Sequence, residues 1–263
     1  MNILDTIVAH KKEEVAARSR GTSVSELYDK PFFNRPTLSL KKFLSDPART
    51  GIIAEYKRRS PSKGLINGHS TVEEVTAAYA RHASGISVLT DEQFFGGTLN
   101  DLVRARVNEV PLLRKDFMIS DYQLMEARAY GADVILLIAA CLTIEQTREL
   151  AAKAKELGLE VLLEIHDETE LPYINDDVDM VGVNNRNLKT FEVSIQRSLD
   201  LIKDIPSSKA AVAESGISDV ETIVSLKRAG FKGFLVGENF MKHADPAIAF
   251  ADFVHRLKAK NEN

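Results

Sequence analysis

Cysteine is nearly absent. The 263 residues contain one, Cys141, so no disulfide forms within the chain. That fits a reducing cytoplasm and excludes a disulfide-stapled secreted scaffold. Cys141 ends an apolar run and reads as a core thiol. A basic surplus is also missing: 34 Lys and Arg stand against 38 Asp and Glu, a net charge of −4. This argues against a nucleic-acid surface but leaves room for a small basic pocket around an anion. The longest apolar run, VILLIAACL, falls far short of the ~20 residues a membrane-spanning helix needs. The start of the chain, MNILDTIVAHKKEEVAARSR, mixes Ile3, Leu4, Ile7 and Val8 with Asp5, Glu13 and Glu14. It reads as an amphipathic helix, not the unbroken apolar centre of a signal peptide. Pro- or Ser-rich linkers and low-complexity tracts are lacking. None of the six histidines lies in His-x-His or His-Glu-x-x-His spacing, and there is no Gly-x-Ser-x-Gly elbow or Walker loop. No metal is expected, and serine-hydrolase and P-loop chemistry are excluded.

What the chain does have is an ordinary globular balance, 44% hydrophobic and 27% charged, and a repeated alternation. Short β-branched runs occur at 51–56 (GIIAEY), 86–90 (ISVLT), 110–115 (VPLLRK), 133–140 (DVILLIAA), 160–165 (EVLLEI), 180–184 (MVGVN), 209–214 (KAAVAE) and 233–237 (GFLVG). Helical stretches lie between them. One opens at a Thr71 cap, one at Ser120 and closes at Gly131, one at Thr143 and closes at Gly158, and one at Ser218 and closes at Gly230. The sixth and eighth are VSIQRSLDLIK and DPAIAFADFVHRLKAK. The strands are continuous apolar runs, as expected when both faces are covered. Eight such units in so short a chain predict an α/β fold, a single (β/α)8 TIM barrel over 1–263. Residues 1–48 form a helical N-terminal extension over the lower rim or part of the mouth.

In such a barrel, functional residues sit at the C-terminal ends of strands. The first strand ends in Glu55 and Lys57, two apart and so on one face. The third ends in Lys115, the fifth in Glu164, the sixth in Asn184 followed by Asn185 and Arg186, and the seventh in Glu214 with Ser215. A lysine among carboxylates stays protonated and can act as an acid. A glutamate partly buried under apolar side chains can be raised towards neutral pH and act as a base, and Glu164 is a glutamate so placed. AESGIS after the seventh strand and LVGENFMKH after the eighth place backbone N–H groups of Gly216, Gly237 and Glu238 around an anion. The long basic loop KRRSPSKGLINGHS after the first strand reads as a mobile lid, with Pro61 restricting Ser60. Phe95 offers an aromatic wall, and His166 is the histidine nearest the mouth.

The segments IIAEYKRRSPSKG, ISVLTDEQFFGG, LLRKDF, GADVILLI, LLEIHDE, GVNNRNL, AESGIS and FLVGENFM, in this order over essentially the whole length, resemble the indole-3-glycerol-phosphate synthase family. The resemblance implies ring closure of 1-(2-carboxyphenylamino)-1-deoxyribulose 5-phosphate with loss of carbon dioxide and water, without cofactor or metal. It makes Lys115 the general acid, Glu164 the general base and Lys57 a second lysine tied to phosphate and carboxylate. Glu55 and Asn184 orient the lysines and sugar hydroxyls. Arg186 lies near the substrate carboxylate. Glu214 and Ser215 are the seventh-strand pair. Phe95, Phe117, Leu136 and Leu188 surround the aromatic ring. Glu238 stands where several members have serine. The expected partner is a phosphorylated small molecule, with no nucleic acid or membrane; a cytoplasmic monomer is expected. Three rivals fit parts of the pattern: a Schiff-base aldolase-type barrel, since lysine at a strand end also marks that chemistry; phosphoribosylanthranilate isomerase, whose cysteine is expected after the first strand, where Glu55 and Lys57 stand; and a non-catalytic phosphate-binding barrel.

Overall fold

The computed structural model describes residues 3–187 and 190–261. Eight strands, all parallel, close a barrel in sequential order: β1 (Ile52–Tyr56), β2 (Gly85–Leu89), β3 (Leu112–Lys115), β4 (Val134–Ile138), β5 (Glu160–Ile165), β6 (Met180–Asn184), β7 (Ala210–Glu214) and β8 (Gly233–Val236). β1 pairs with both β2 and β8, which closes the ring. β3 starts two residues later than the apolar run suggests; Pro111 has no N–H to give the ladder.

The capping chemistry explains the helix starts. Thr71 and Thr143 form capping boxes with Glu74 and Gln146 ahead of α4 (Val72–Ala80) and α8 (Ile144–Glu156), and the Ser120 side chain accepts from the Tyr122 N–H at the start of α7 (Asp121–Ala129). Ser218 does not cap its helix. Asp219 does, accepting from the Thr222 N–H at 2.7 Å, so α10 (Val220–Ala229) starts one residue later and Ser218 faces the barrel mouth. After β2 come α5 (Glu92–Phe95), capped by Asp91, and α6 (Leu99–Ala105), capped by Thr98. After β5 there is only a 3-10 helix, Glu168–Tyr173, with Pro172 inside it. The sixth connection carries α9 (Gln196–Leu201) and a 3-10 turn, Ile202–Asp204. α11 (Glu238–Met241) and α12 (Pro246–Asn261) follow β8.

Alternate residues of each strand enter different cores. Ile52, Ala54, Ile86, Leu112, Ile135, Leu163 and Val181 pack outward against the helices. Ile53, Leu113, Val134, Leu136, Leu162, Met180, Val212 and Leu235 fill the barrel interior. The N-terminal helices serve both ends. α3 (Leu40–Ser45) plugs the bottom with Leu40 and Leu44. The missing side chains of Gly85 and Gly233 leave it room: a Cβ there would lie 2.6 Å from Leu40 and 3.1 Å from Leu44. α1 (Ile3–Gly21) reaches the mouth, where Ile3, Leu4 and Ile7 join the wall, and α2 (Val24–Tyr28) packs beside α7.

Candidate active site

The same alternation carries polar residues inward at the top. Two residues beyond interior Ile53, Leu113, Leu162, Gly182 and Val212 come Glu55, Lys115, Glu164, Asn184 and Glu214. All five line one cavity of about 540 Å³ at the C-terminal ends of the strands. Lys115 Nζ lies 3.0 Å from Glu164 Oε2 and 2.7 Å from Glu214 Oε2. Glu164 Oε1 accepts from Asn184 Nδ2 at 2.9 Å, and Asn184 Oδ1 accepts from the Arg186 N–H at 3.0 Å. Lys57 Nζ stands 2.9 Å from Glu55 Oε1. The remaining apolar, sugar and anion residues singled out in the sequence line this cavity too, except Leu188, which lies outside the described residues.

The electrostatics divide the carboxylates. Burial works against the Lys115 ammonium, but Glu164, Glu214 and Glu55 outweigh it and hold its pKa well above the ordinary lysine value. Burial also favours neutral Glu164. Lys115, His166 and the Asn184 amide prevail, holding this carboxyl well below the usual range. The expectation that Glu164 is pushed towards neutral pH is therefore overturned. Glu214 takes that state: burial raises it, Lys115 lowers it less, and the charges of Glu164 and Glu55 add to the rise, to about 7. Its Oε1 has no hydrogen-bond partner in the structure. One carboxylate on the lysine is thus fixed as an anion while its neighbour titrates near neutrality.

Two glycines make this clustering possible. A Cβ on Gly182 would lie 2.1 Å from Glu214 Oε1, and one on Gly237 would lie 2.6 Å from Glu55 Oε1. Gly182 inside β6 and Gly237 just past β8 each mark the close approach of a neighbour's side chain. Gly182→Ala is expected to push Glu214 off Lys115 and lower kcat about tenfold to a hundredfold, the scale of a displacement near 1 Å. Steady-state kinetics alongside a thermal melt test this; wild-type kcat with an unchanged melt refutes it.

Phe95 and Phe117 face one another with ring centroids 6.0 Å apart, and with Leu136 they make an apolar side to the cavity. The residues expected to meet an anion also line this cavity. Ser215 and Gly216 both have positive φ, 67° and 76°, so the chain turns sharply after β7. A Cβ on Gly216 would lie 2.3 Å from Val193 Cγ1. The Glu238 carboxylate lies 3.9 Å from both Lys63 and Arg186. The basic loop after β1 is no open coil. Arg59–Ser60 and Gly64–Leu65 form a two-stranded ribbon. Arg58 pins it through Asp101 at 2.5 and 2.8 Å, and Asn67 Nδ2 donates to the Met241 carbonyl at 3.1 Å. The Ser60 hydroxyl is buried against the cavity without a partner.

One group escaped the sequence reading. Lys11 of α1 is fully buried, with Nζ 2.7 Å from Glu14, 2.8 Å from Asp91 and 2.9 Å from Asp116. Asp91 also caps the helix carrying Phe95, and Asp116 accepts from the Phe117 N–H at 2.8 Å. The outward-facing Arg114 closes the network on Asp116 and Glu126. A lysine on an amphipathic helix reads as solvated. Only the docking of α1 on the mouth reveals it as a bridge.

Residues 4–253 match the protein-family model for indole-3-glycerol phosphate synthase. Among curated proteins, indole-3-glycerol phosphate synthase of Bacteroides thetaiotaomicron is 47% identical over 259 residues, covering 98% of this chain and 99% of that protein. The same enzyme of Salinibacter ruber is 45% identical and covers 100% and 97%. Among solved structures, a chain of the tryptophan synthase complex from Pyrococcus furiosus superposes with a TM-score of 0.62 at 17% identity, over 80% of this chain and 99% of that one. 3-Hexulose-6-phosphate synthase from Salmonella typhimurium superposes with a TM-score of 0.61 at 15% identity, over 79% and 98%. At such identities the structural likeness speaks for the barrel alone.

Proposed function

The chain belongs to the indole-3-glycerol phosphate synthase family, and from the geometry of its cavity we propose how it performs that family's reaction, the closure of 1-(2-carboxyphenylamino)-1-deoxyribulose 5-phosphate to indole-3-glycerol phosphate with loss of carbon dioxide and water. The observation that carries the assignment is the Lys115 ammonium between two carboxylates at the edge of an apolar wall.

The apolar side formed by Phe95, Phe117 and Leu136, with Leu188 assigned to it from the sequence, holds the aromatic ring in near-attack geometry. As the ring carbon bonds to the ketone carbon, Lys115 gives its proton to the ketone oxygen. Carbon dioxide then leaves, its bonding pair returning to the aromatic system. After Lys115 has taken up a proton from solvent, it protonates the hydroxyl left from the ketone, and the carbon–oxygen bond breaks to release water. The neighbouring carbon of the five-membered ring gives its proton to Glu164, which Lys115, Asn184 and His166 keep ionised for that step. Lys57, paired with Glu55, bridges carboxylate and phosphate, and Arg186 meets the carboxylate. Glu214 and Ser215 position the sugar. Backbone N–H groups at Gly216, Gly237 and Glu238 cradle the phosphate; the Glu238 carboxylate, turned towards Lys63 and Arg186, is kept from the anion by those cations. Ser60 contributes its free hydroxyl.

The Schiff-base rival needs a neutral amine, and the carboxylates around Lys115 oppose deprotonation. The isomerase rival needs a reactive thiol. Burial, with Glu164 and Glu170 nearby, pushes the Cys141 thiol well above its ordinary range. We read the chain as one domain, the extension from residue 3 to 48 folded onto the barrel, working as a cytoplasmic monomer on a phosphorylated small molecule, with no nucleic-acid partner. No helix among the described residues is long and apolar enough to cross a membrane.

Incubating purified protein with the substrate and following indole fluorescence tests the reading. The chain has no tryptophan, so the signal belongs to the product. Growth of indole fluorescence is expected; a phosphate-binding barrel gives none. Borohydride added during turnover is expected to leave Lys115 unmodified, whereas a trapped adduct restores the aldolase reading.

A further inference from the structure

We propose that His166 and Glu170 form a positioning pair that fixes the orientation and charge of Glu164 from behind the cavity wall. The inference rests on the reading of Glu164 as the base. His166 lies two residues past Glu164, is 9% exposed and does not line the cavity. Its Nε2 is 3.4 Å from Glu164 Oε1, and its Nδ1 is 3.2 Å from Glu170 Oε2. The same Glu170 oxygen accepts from the His166 backbone N–H at 2.7 Å, so one carboxylate grips both ring and main chain. Glu170 sits on the 3-10 helix Glu168–Tyr173, which starts at an Asp167 cap and is tied to the turn after β4 by Tyr173 Oη donating to the Leu142 carbonyl at 3.2 Å.

The ring is thus held between carboxylates on two elements. Glu164 in turn is hydrogen-bonded by Asn184 at Oε1 and by Lys115 at Oε2, while His166 Nε2, which has no hydrogen-bond partner in the structure, faces Oε1 across 3.4 Å. Cys141, on the neighbouring turn, feels Glu164 and Glu170 but stays a neutral thiol. Burial disfavours the imidazolium; Glu164 and Glu170 outweigh burial and raise its pKa to about 10. A cation facing Glu164 opposite the lysine keeps the carboxylate charged when Lys115 gives up its proton. The ring also blocks rotation of the side chain away from the substrate.

The test compares His166→Gln, Glu170→Gln and Glu164→Gln, with kcat and KM measured from pH 5.5 to 10. His166→Gln removes a cation beside Glu164 and so raises the carboxyl pKa. Its kcat is expected to fall about tenfold, with KM within about twofold and the acid limb of kcat moved to higher pH. Glu170→Gln keeps the ring but removes one of its anions, so the ring loses its proton at lower pH. That variant is expected to match wild type near pH 6 and fall towards His166→Gln by pH 9. If Glu164→Gln is inactive while the other two keep wild-type kcat and both limbs, the positioning pair is refuted and the base stands. A fall in His166→Gln without the new basic limb in Glu170→Gln means packing alone and also overturns the proposal. If Glu164→Gln keeps its activity, the underlying assignment of the base fails instead.

Discussion

Lys115→Ala is expected to lose at least about a hundredfold in kcat, measured as indole fluorescence at saturating substrate, while the fold stays intact. A hundredfold corresponds to ~2.7 kcal/mol of transition-state free energy, the lower end of what one general acid contributes. The proton is needed as the ring attacks the ketone and again as water leaves, so both halves of the reaction slow. Because the ammonium acts in the chemical step, kcat and kcat/KM should fall together. The fold survives because the orphaned carboxylates have an outlet. Glu214 already titrates near 7 beside the cation; without it the pKa rises further and the group takes up a proton. The sign of the stability change follows. A carboxyl whose folded pKa is raised contributes stability below its unfolded pKa and loses it as pH rises through the folded one. The variant therefore loses this contribution over a wider window than wild type, visible as a melting temperature that goes on declining to higher pH. Unchanged turnover removes Lys115 from its role.

Glu164→Gln is expected to cost about 10²- to 10⁴-fold in kcat, with a signature that separates it from the lysine variant. The base acts only when water is lost. In a single turnover, carbon dioxide release should stay fast while indole fluorescence lags behind it. In Lys115→Ala the two slow together. Glutamine preserves the size of the side chain and its bond to Asn184, so the loss reports the charge and not a hole. Release of carbon dioxide and appearance of indole at one common slow rate contradicts the role given to Glu164.

The residues that meet at the mouth were legible because barrel strands impose a simple rule: apolar until the core ends, polar where the mouth begins. Lys115 after Leu113 and Glu164 after Leu162 show it directly. Ser218 was misread as a cap because Ser and Asp are both good N-caps and only the geometry chooses between adjacent ones. The 3-10 helix after β5 was missed because Pro172 interrupts any longer helical pattern.

What the one-dimensional pattern determined was the eight strands, their order and the residues that reach the mouth, since each follows from local periodicity. What it left open was every energy that depends on two distant groups. Glu164 and Glu214 have the same side chain, each at the end of an apolar strand, yet one is held ionised and the other is pushed to about 7. The difference comes from His166 and Asn184 beside the first, and from burial with the charges of Glu164 and Glu55 around the second. Lys11 and the dual use of the N-terminal helices belong to the same class. Coulomb interaction depends on separation and dielectric environment, and only the closed barrel brings those charges within 3 Å of one another in a buried place.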